Sequence, residues 1–381
     1  MPKKMNFELK YNAKDVKPFN QGDEMYKRVR RDIELKDLGK DCYKHQLPRG
    51  RPGSNRQDIA LRYASWYLEN RFARGICESN FGLYSWEDKL YQISELPMDP
   101  PFDSETPEYN TRMIKKASNL FGADMVGICK LDRRWIYSKG FNLFMRKEFN
   151  IEISEEYEYV INIAIEMDYE YYKYTPTFIA GAGTGLGYSK MAFTAGLLGQ
   201  FLNHLGYKSI PMGNDTAISI PFAIQAGLGE LGRNGLLFTP KYGPRVRLCK
   251  VFTNMPLVCD EPIEFGVTEF CEVCKKCADK CPGQAITHGE RTTEPLNISN
   301  AGGALKWYVD CEKCFKIAAK NGVECGNCIR VCPFNKQDGM SHTTVRWFVD
   351  RFPQLDSIFV KLDDLFGYGK QEDPANFWNK E

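Results

Sequence analysis

Two cysteine runs near the C-terminal end of the chain are the residues whose spacing most directly predicts chemistry. The runs read Cys271-x2-Cys274-x2-Cys277-x3-Cys281-Pro282 and Cys314-x10-Cys325-x2-Cys328-x3-Cys332-Pro333. In bacterial two-cluster ferredoxins, three closely spaced thiolates hold one 4Fe–4S cluster, and the cysteine before the proline ligates the other cluster. The spacing therefore predicts two 4Fe–4S clusters and a protein that transfers single electrons.

The same rule divides the eight cysteines into two sets of four. The first cysteine set contains Cys271, Cys274, Cys277 and Cys332, and the second cysteine set contains Cys281, Cys314, Cys325 and Cys328. We expect the second set to lie nearer the protein surface. Zinc sites usually take their ligands as two pairs, and disulfide frameworks belong to small secreted domains. Both alternatives fit this spacing less well.

The remaining six cysteines are scattered and show no pairing pattern. They are Cys42, Cys77, Cys129, Cys249, Cys259 and Cys311. We interpret most of them as small buried hydrophobic residues. Cys311 lies three residues before Cys314 and is a competing cluster ligand, although the ten-residue gap from Cys314 to Cys325 favours Cys314.

The composition predicts a folded globular protein. Its 381 residues are enough for two or three domains, and 43% of them are apolar and 26% charged. The formal net charge of +2 gives no electrostatic reason to expect binding to nucleic acid or to an anionic membrane. No apolar run approaches the ~18 residues of a membrane helix, and no export signal is recognisable. We therefore expect a cytoplasmic protein or the mature form of an exported precursor.

Changes of pattern along the chain predict four segments and an α/β (α+β) fold class. The segments are a mostly helical N-terminal part with a proline-rich linker at 1–107, an α/β domain at 108–255, a ferredoxin-like domain at 256–340 and a closing helical segment at 341–381. Apolar periodicity predicts strands at Met125–Leu131, Tyr159–Ile165, Lys208–Pro211, Leu236–Thr239 and Val246–Phe252, and helices at Asp58–Arg71, Thr111–Phe121, Ser189–Leu205 and Ser219–Leu228.

Three stretches of the α/β domain have the composition of a ligand site. Residues 181–189 read GAGTGLGYS, which we interpret as a glycine-rich loop whose backbone approaches a ligand. Residues 211–221 read PMGNDTAISIP, a turn of small polar groups before a helix, and residues 243–250 read GPRVRLCK, with two arginines. Each stretch alone is weak evidence, because a glycine-rich loop is more often only a turn.

The order of these stretches and the two cysteine runs resembles the catalytic subunit of corrinoid-dependent reductive dehalogenases. The resemblance covers about residues 111–340 and the tail. It is carried by GYSKM at 187–191, GNDTAISIP at 213–221, AGLGELGRNGLLFTPKYGPRVRLCKVFTNMPL at 226–257, FGVTEFCEVCKKCADKCPGQAI at 265–286 and NGVECGNCIRVCPFNK at 321–336.

This resemblance implies a nitroreductase-like, cobalamin-binding core followed by the two-cluster domain. The cobalamin would be base-off without a histidine ligand, and none of His45, His204, His288 and His342 lies in the Asp-x-His-x-x-Gly run of histidine-ligated corrinoid proteins. The family's catalytic residues map onto Tyr188, Asn214 and Arg247. The neighbouring motif residues predicted to bind the cofactor are Gly187, Ser189, Gly213, Asp215 and Thr216.

The three mapped residues also make chemical sense for reductive dehalogenation. Removing halogen with cobalt(I) requires electrons from the clusters and a proton donor. Tyr188 would hold its proton at neutral pH, Arg247 would stabilise the phenolate left behind, and Asn214 would orient the substrate or halide. The alternative is that these residues have no catalytic role, since a lone tyrosine is usually a packing residue and a lone arginine is usually a surface charge.

The resemblance further implies an organohalide substrate, an external electron donor and a small membrane-anchor protein at the outer face of the cytoplasmic membrane. Two other functions are weighed against it. An epoxyqueuosine reductase-like tRNA-modifying enzyme would need a basic surface, which a net charge of +2 does not favour. A non-catalytic iron–sulfur electron carrier would have the clusters but release no halide.

Overall fold

The computed structural model describes residues 2–44, 46–73, 82–86, 101–102, 106–143, 145–337 and 339–379. Cys77, His45 and most of the predicted proline-rich linker lie outside these ranges. The strands are β1 Lys3–Lys4, β2 Met125–Lys130, β3 Gly140–Asn142, β4 Lys147–Phe149, β5 Tyr159–Glu166, β6 Ser209–Met212, β7 Glu230–Leu231, β8 Leu237–Phe238, β9 Val246–Thr253 and β10 Ile263–Glu264. The helices are α1 Phe7–Tyr11, α2 Met25–Arg31, α3 Lys36–Lys44, α4 Arg56–Ser65, α5 Pro107–Leu120, α6 Tyr169–Tyr172, α7 Phe178–His204, α8 Ser219–Gln225, α9 Val267–Val273, α10 Lys276–Asp279, α11 Cys311–Asn321, α12 Asn327–Arg330, α13 Met340–Arg351 and α14 Asp356–Leu365.

A four-stranded antiparallel sheet with strand order β2–β5–β9–β6 organises the centre of the molecule. Strand β9 lies between two partners, so Lys250 is opposite Asn162 on one side and Met212 on the other. Successive side chains of a strand point to opposite faces. Arg247 and Lys250 therefore project to opposite faces of the same central strand.

Helix α7 covers one face of this sheet, and α8 covers the other. The α7 face buries an aliphatic core that includes Ile128, Ile161, Ile163, Met191, Ala195, Leu198, Leu202 and Val251. The α8 face buries Val160, Ala164, Ile210, Met212, Phe222, Ala223 and Phe252. Because each fully buried aliphatic or aromatic side chain contributes about 2 kcal/mol, these two layers fix the sheet and the ends of its strands.

The predicted strands at 125, 159, 208 and 246 are confirmed, with ends that shift by at most one residue. The strand predicted at Leu236–Thr239 is reduced to β8, which pairs only with the equally short β7. The helix predicted at Asp58–Arg71 is present as α4 and a following π-helical turn at Glu69–Ala73. The closing segment is helical, as α13 and α14, and packs through Val349 and Phe359 against the cysteine-rich region.

The prediction of a glycine-rich loop at 181–189 is wrong, because α7 begins at Phe178 and includes the whole stretch. Glycine costs a helix about 1 kcal/mol relative to alanine, so its use here needs a reason. A Cβ on Gly185 would lie 2.2 Å from Cδ1 of Trp66, and a Cβ on Gly187 would lie 3.0 Å from Cγ of Arg247. These glycines let two side chains from other elements approach the helix axis.

Across the described residues, none of the helices has both the length and the apolar composition required to span a bilayer.

Candidate active site and cluster-binding domain

Tyr188, Asn214 and Arg247 come together from three different elements. Tyr188 lies on α7, Asn214 follows the end of β6, and Arg247 lies at the start of β9. The Asn214 Nδ2 atom donates a hydrogen bond to the Tyr188 hydroxyl at 2.9 Å. The Arg247 guanidinium carbon lies 4.9 Å from the centre of the Tyr188 ring, close enough for a cation–π attraction. The three residues therefore surround one phenol.

Arg247 is held beside this phenol by its own strand and by a thioether. Its Nε donates to Sδ of Met167 at 3.1 Å, and the strand register places it opposite Ile165. Burial alone would lower the pKa of Arg247, but the phenol oxygens of Tyr188 and Tyr172 outweigh this effect and raise that pKa above its usual value. The guanidinium is thus a permanent positive charge next to the Tyr188 ring.

A fourth residue, Trp66, also contacts the Tyr188 ring. The two rings are stacked with centroids 4.6 Å apart and planes 24° from parallel. The indole Nε1 donates to the Gly181 carbonyl at 3.3 Å, and this contact fixes its position on α7. The apolar periodicity of the helix predicted at Asp58–Arg71 gives no indication of this contact. The one signal that could have revealed it is the glycine at 185, which makes room for a ring.

The loop after β6 is held in shape by hydrogen bonds from side chains. Gly213 N donates to Asp215 Oδ1 at 2.9 Å, while the Gly213 carbonyl accepts from Lys250 Nζ at 2.8 Å. Thr216 is buried and has φ +67°, an uncommon conformation for a threonine. These contacts shape the loop that carries Asn214, and the cofactor-binding role of Gly213, Asp215 and Thr216 stays a prediction.

Ser189 and Gly187, also predicted to bind the cofactor, join α7 to its neighbours. Ser189 Oγ donates to the Ser65 carbonyl at 2.6 Å and accepts from the Glu69 amide at 3.4 Å. Gly187 faces Arg247. These contacts attach the N-terminal helical segment to the helix that carries Tyr188.

Tyr26 lies on the same side of the molecule as Tyr188 and Cys314. Its side chain is 60% exposed, and its ring packs edge-on against Phe315 with centroids 5.0 Å apart. Glu324, Tyr188 and Cys314 are among the titratable groups around its hydroxyl. An exposed aromatic ring therefore lies near both the Tyr188 group and the second cysteine set.

The first cysteine set is gathered in one place. Cys271, Cys274 and Cys332 are buried. Burial raises the pKa of Cys332, and the next contributions come from Cys271, Cys274 and Cys277. Burial likewise raises the pKa of Cys277 to about 12, with Cys274 contributing next. The four thiols predicted to share a cluster are thus mutual neighbours.

The second cysteine set is gathered in the same way and touches the first. Burial raises the pKa of Cys314 to about 12, followed by the effects of Cys325, Cys311 and Cys281. Burial also raises the pKa of Cys328, and its neighbours include Cys277 of the first set. The described side chains contain no group of three or more His, Cys, Asp or Glu that could hold a single metal ion. The cluster assignment therefore depends on spacing and proximity.

Cys311 adjoins Cys314, but its sulfur has polar partners of its own. Its Sγ accepts from Asn300 Nδ2 at 3.3 Å and lies 3.5 Å from the Val309 carbonyl. Burial raises its pKa, and the nearest charge, that of Lys306, opposes the rise. These contacts favour Cys314 as the cluster ligand.

Comparison with known proteins bears directly on this arrangement. Residues 270–335 match the family described as a 4Fe-4S double cluster binding domain. The chain is 38% identical over 356 residues to the tetrachloroethene reductive dehalogenase of Sulfurospirillum multivorans, covering 86% of this chain and 71% of that protein. It belongs to the reductive dehalogenase family. The tetrachloroethene reductive dehalogenase of Desulfitobacterium hafniense is also 38% identical, over 332 residues that cover 77% of this chain and 60% of that protein.

Solved members of this family share the fold of the chain. A reductive dehalogenase structure that was interpreted in terms of B12-dependent dehalogenation aligns with a TM-score of 0.72 and 23% identity over 93% of this chain. A catabolic reductive dehalogenase in complex with 3-bromo-4-hydroxybenzoic acid aligns with a TM-score of 0.70 and 23% identity over 94% of this chain. The chain spans 47% of each of these solved chains.

The predicted family and the predicted two-cluster iron–sulfur domain are therefore confirmed. This reductive dehalogenase family member is a mixed α/β protein with a 4Fe–4S double-cluster domain at 270–335, and the family comprises oxidoreductases that act on carbon–halogen bonds.

Proposed function

We propose that this chain removes halogen reductively from an organohalide, with Tyr188 as the proton donor. The observation that carries the proposal is the convergence of Asn214 and Arg247 on the Tyr188 phenol. A phenol keeps its proton at neutral pH, and a fixed guanidinium stabilises the phenolate that remains after proton transfer. The Asn214 amide orients the hydroxyl without adding charge.

The proposal includes cobalamin, held in a nitroreductase-like core between Tyr26 and the Tyr188 group. Family membership supports this assignment, because a solved reductive dehalogenase of the same fold was interpreted in terms of B12-dependent dehalogenation. When bound, cobalamin would supply a strongly reducing cobalt(I) centre. Trp66 and Tyr26 would face the cofactor and the substrate, and together they would keep water away from the Tyr188 hydroxyl.

We also infer that the second cysteine set lies on the Tyr188 side of the molecule. Cys314 and Tyr188 both lie near Tyr26, and Cys328 packs with Met167, the residue that holds Arg247. The first set adjoins the second through Cys277 and Cys328. Cys314 is exposed whereas Cys271, Cys274 and Cys332 are buried, as expected for a second set nearer the surface. The contacts with the Tyr188 side nevertheless favour electron transfer from an external donor through the first set to the second.

Chlorinated ethenes are the first substrates to test. Two relatives at 38% identity are tetrachloroethene reductive dehalogenases, and the stacked rings of Trp66 and Tyr188 suit a flat, apolar molecule. A small membrane-anchor protein and a place at the outer face of the cytoplasmic membrane remain part of the proposal through family membership alone.

The test is halide release by protein that is purified without oxygen, reconstituted with cobalamin and supplied with a chemical reductant. We expect chloride release together with about eight irons and one cobalt per chain. Eight irons without cobalt and without chloride would instead identify an iron–sulfur electron carrier.

We predict that Gly185→Ala lowers kcat/KM for chloride release by about tenfold or more, since small misplacements in an active site cost up to two orders of magnitude. The new Cβ would displace Trp66 from Tyr188. The matched control is Gly183→Ala, whose Cβ would meet Tyr171 at 2.9 Å on the same helix. If kcat/KM falls equally in both variants, the effect comes from general crowding around α7 and not from displacement of Trp66.

A further inference from the structure

Lys250 is a buried amine whose place in the fold needs an explanation. It lies in the middle of β9, is 0% exposed, and projects to the sheet face opposite Arg247. Its Nζ donates to the Gly213 carbonyl at 2.8 Å and to Ser219 Oγ at 3.0 Å. Among the described residues Lys250 has no carboxylate within ion-pair distance. A buried amine without an ion pair is costly, so an apolar residue would serve packing better.

The charged and titratable groups around Lys250 come from three elements. Asp215 lies in the loop after β6, Cys249 precedes Lys250 on β9, and Glu24 comes from the N-terminal segment. Burial lowers the pKa of Lys250 to about 8, against the opposing effect of Asp215. Charged or neutral, the amine retains at least two N–H donors, enough for both of its contacts.

The two acceptors of Lys250 lie on either side of Asn214 in the chain. Gly213 directly precedes Asn214, and Ser219 closes the same loop at the start of α8. The loop also contains Thr216 at positive φ, so it needs external contacts to keep its shape. The segment at 135–137 also holds the loop, through Tyr137 N to the Thr216 carbonyl at 3.0 Å and Ile218 N to the Trp135 carbonyl at 2.9 Å. The contact of this segment with Asn214 itself, from the Tyr137 hydroxyl to the Asn214 carbonyl, is longer at 3.3 Å.

We propose that Lys250 is a positioning residue that sets the Asn214–Tyr188 hydrogen bond from the opposite face of the sheet. Strand β9 is paired on both sides, so the amine is a fixed point from which the loop is held. The bond it sets is 2.9 Å long, and a shift of the loop by ~1 Å would break it. This inference rests on the proposed function for its activity readout, but not for its structural one.

The activity test is a double-mutant cycle with Lys250→Met and Asn214→Ala. Each single variant is expected to lower kcat for chloride release by about tenfold and to change KM little. Because Lys250 acts through Asn214, the double variant should be no slower than the slower single variant. Independent, multiplying losses would overturn the proposal, and so would a Lys250→Met variant with wild-type kcat.

A structural readout is independent of the activity. Hydrogen exchange of the amides from 213 to 218 should become at least several-fold faster in Lys250→Met, with iron content unchanged, because the loop loses its fixed point. Unchanged exchange would overturn the positioning role, whereas faster exchange in a protein without chloride release would separate this inference from the proposed function.

Two further variants control for the loss of any buried amine and for a Lys250→Met protein that does not fold. Lys306→Met removes another amine whose pKa burial lowers to about 8, in contact with the Tyr308 ring at 4.6 Å. It should leave the exchange of residues 213–218 and the activity unchanged. If Lys250→Met does not fold, Ser219→Ala removes one acceptor and keeps the amine. It should change exchange and kcat in the same direction but less, and no change in either would overturn the proposal.

Discussion

Replacing Tyr188 by phenylalanine is expected to lower the rate of halide release by at least about a hundredfold, while the cobalt and iron contents stay unchanged. A positioned general acid typically contributes a factor of about 10² to 10⁴. The substitution keeps the ring that stacks on Trp66 and faces Arg247, and it removes only the hydroxyl that accepts from Asn214. Chloride release and metal content of the same preparation are the measurements.

The control for this prediction is Tyr172→Phe. Tyr172 is buried near Arg247, and its hydroxyl lies 2.7 Å from Thr184 Oγ1 and 2.9 Å from Met167 Sδ. Losing that hydroxyl removes one polar contact with the same guanidinium but leaves the proposed donor in place, so most of the activity should remain. A Tyr188→Phe enzyme with near-normal turnover would show that the proton comes from another group.

A second large effect is expected from two neighbouring cysteines. Cys314→Ser should reduce the iron content from about eight to about four per chain, since one 4Fe–4S cluster loses a ligand, and should abolish turnover. Cys311→Ser should retain about eight irons and most of the activity. The reason is geometric, because Cys314 is grouped with Cys325 and Cys281, whereas Cys311 contacts Asn300.

Iron analysis and the electron paramagnetic resonance signal of the reduced protein distinguish these variants. The reverse pattern, in which Cys311→Ser loses the cluster, would make Cys311 the ligand and Cys314 a bystander. Loss of all iron in both variants would mean that the two cysteine sets assemble only together, and the assignment of a ligand to either position would then fail.

Much of the fold followed from local patterns in the sequence. The strands of the central sheet are continuous or alternating apolar runs, and such runs have few alternatives in a globular core. The cysteine runs predicted the two 4Fe–4S clusters directly, because cluster ligation requires a fixed local spacing. The identities of Tyr188, Asn214 and Arg247 came from family resemblance, since no local pattern brings together residues so far apart in the chain.

The glycine-rich stretch and Lys250 could not be interpreted from local sequence patterns, for physical reasons. Glycine normally weakens a helix, so the run from Gly181 to Gly187 indicated a loop, whereas close approach by Trp66 and Arg247 made a glycine-rich helix favourable. Nothing in the sequence indicated that Lys250 is buried, because a lysine among apolar strand residues can equally lie at an exposed edge of the sheet. Its role becomes visible only when the loop after β6 is seen to fold back over β9.

The Tyr188 ring contacts two parts of the molecule that should unfold at different temperatures. Arg247 belongs to a strand paired on both sides, whose amides open only with the sheet, whereas Trp66 caps the C-terminal end of the short helix α4. On warming, the Trp66 indole should lose its contact with the Tyr188 ring before the Arg247 guanidinium does. The enzyme should then lose its discrimination between organohalides over a range of temperature in which it can still transfer a proton.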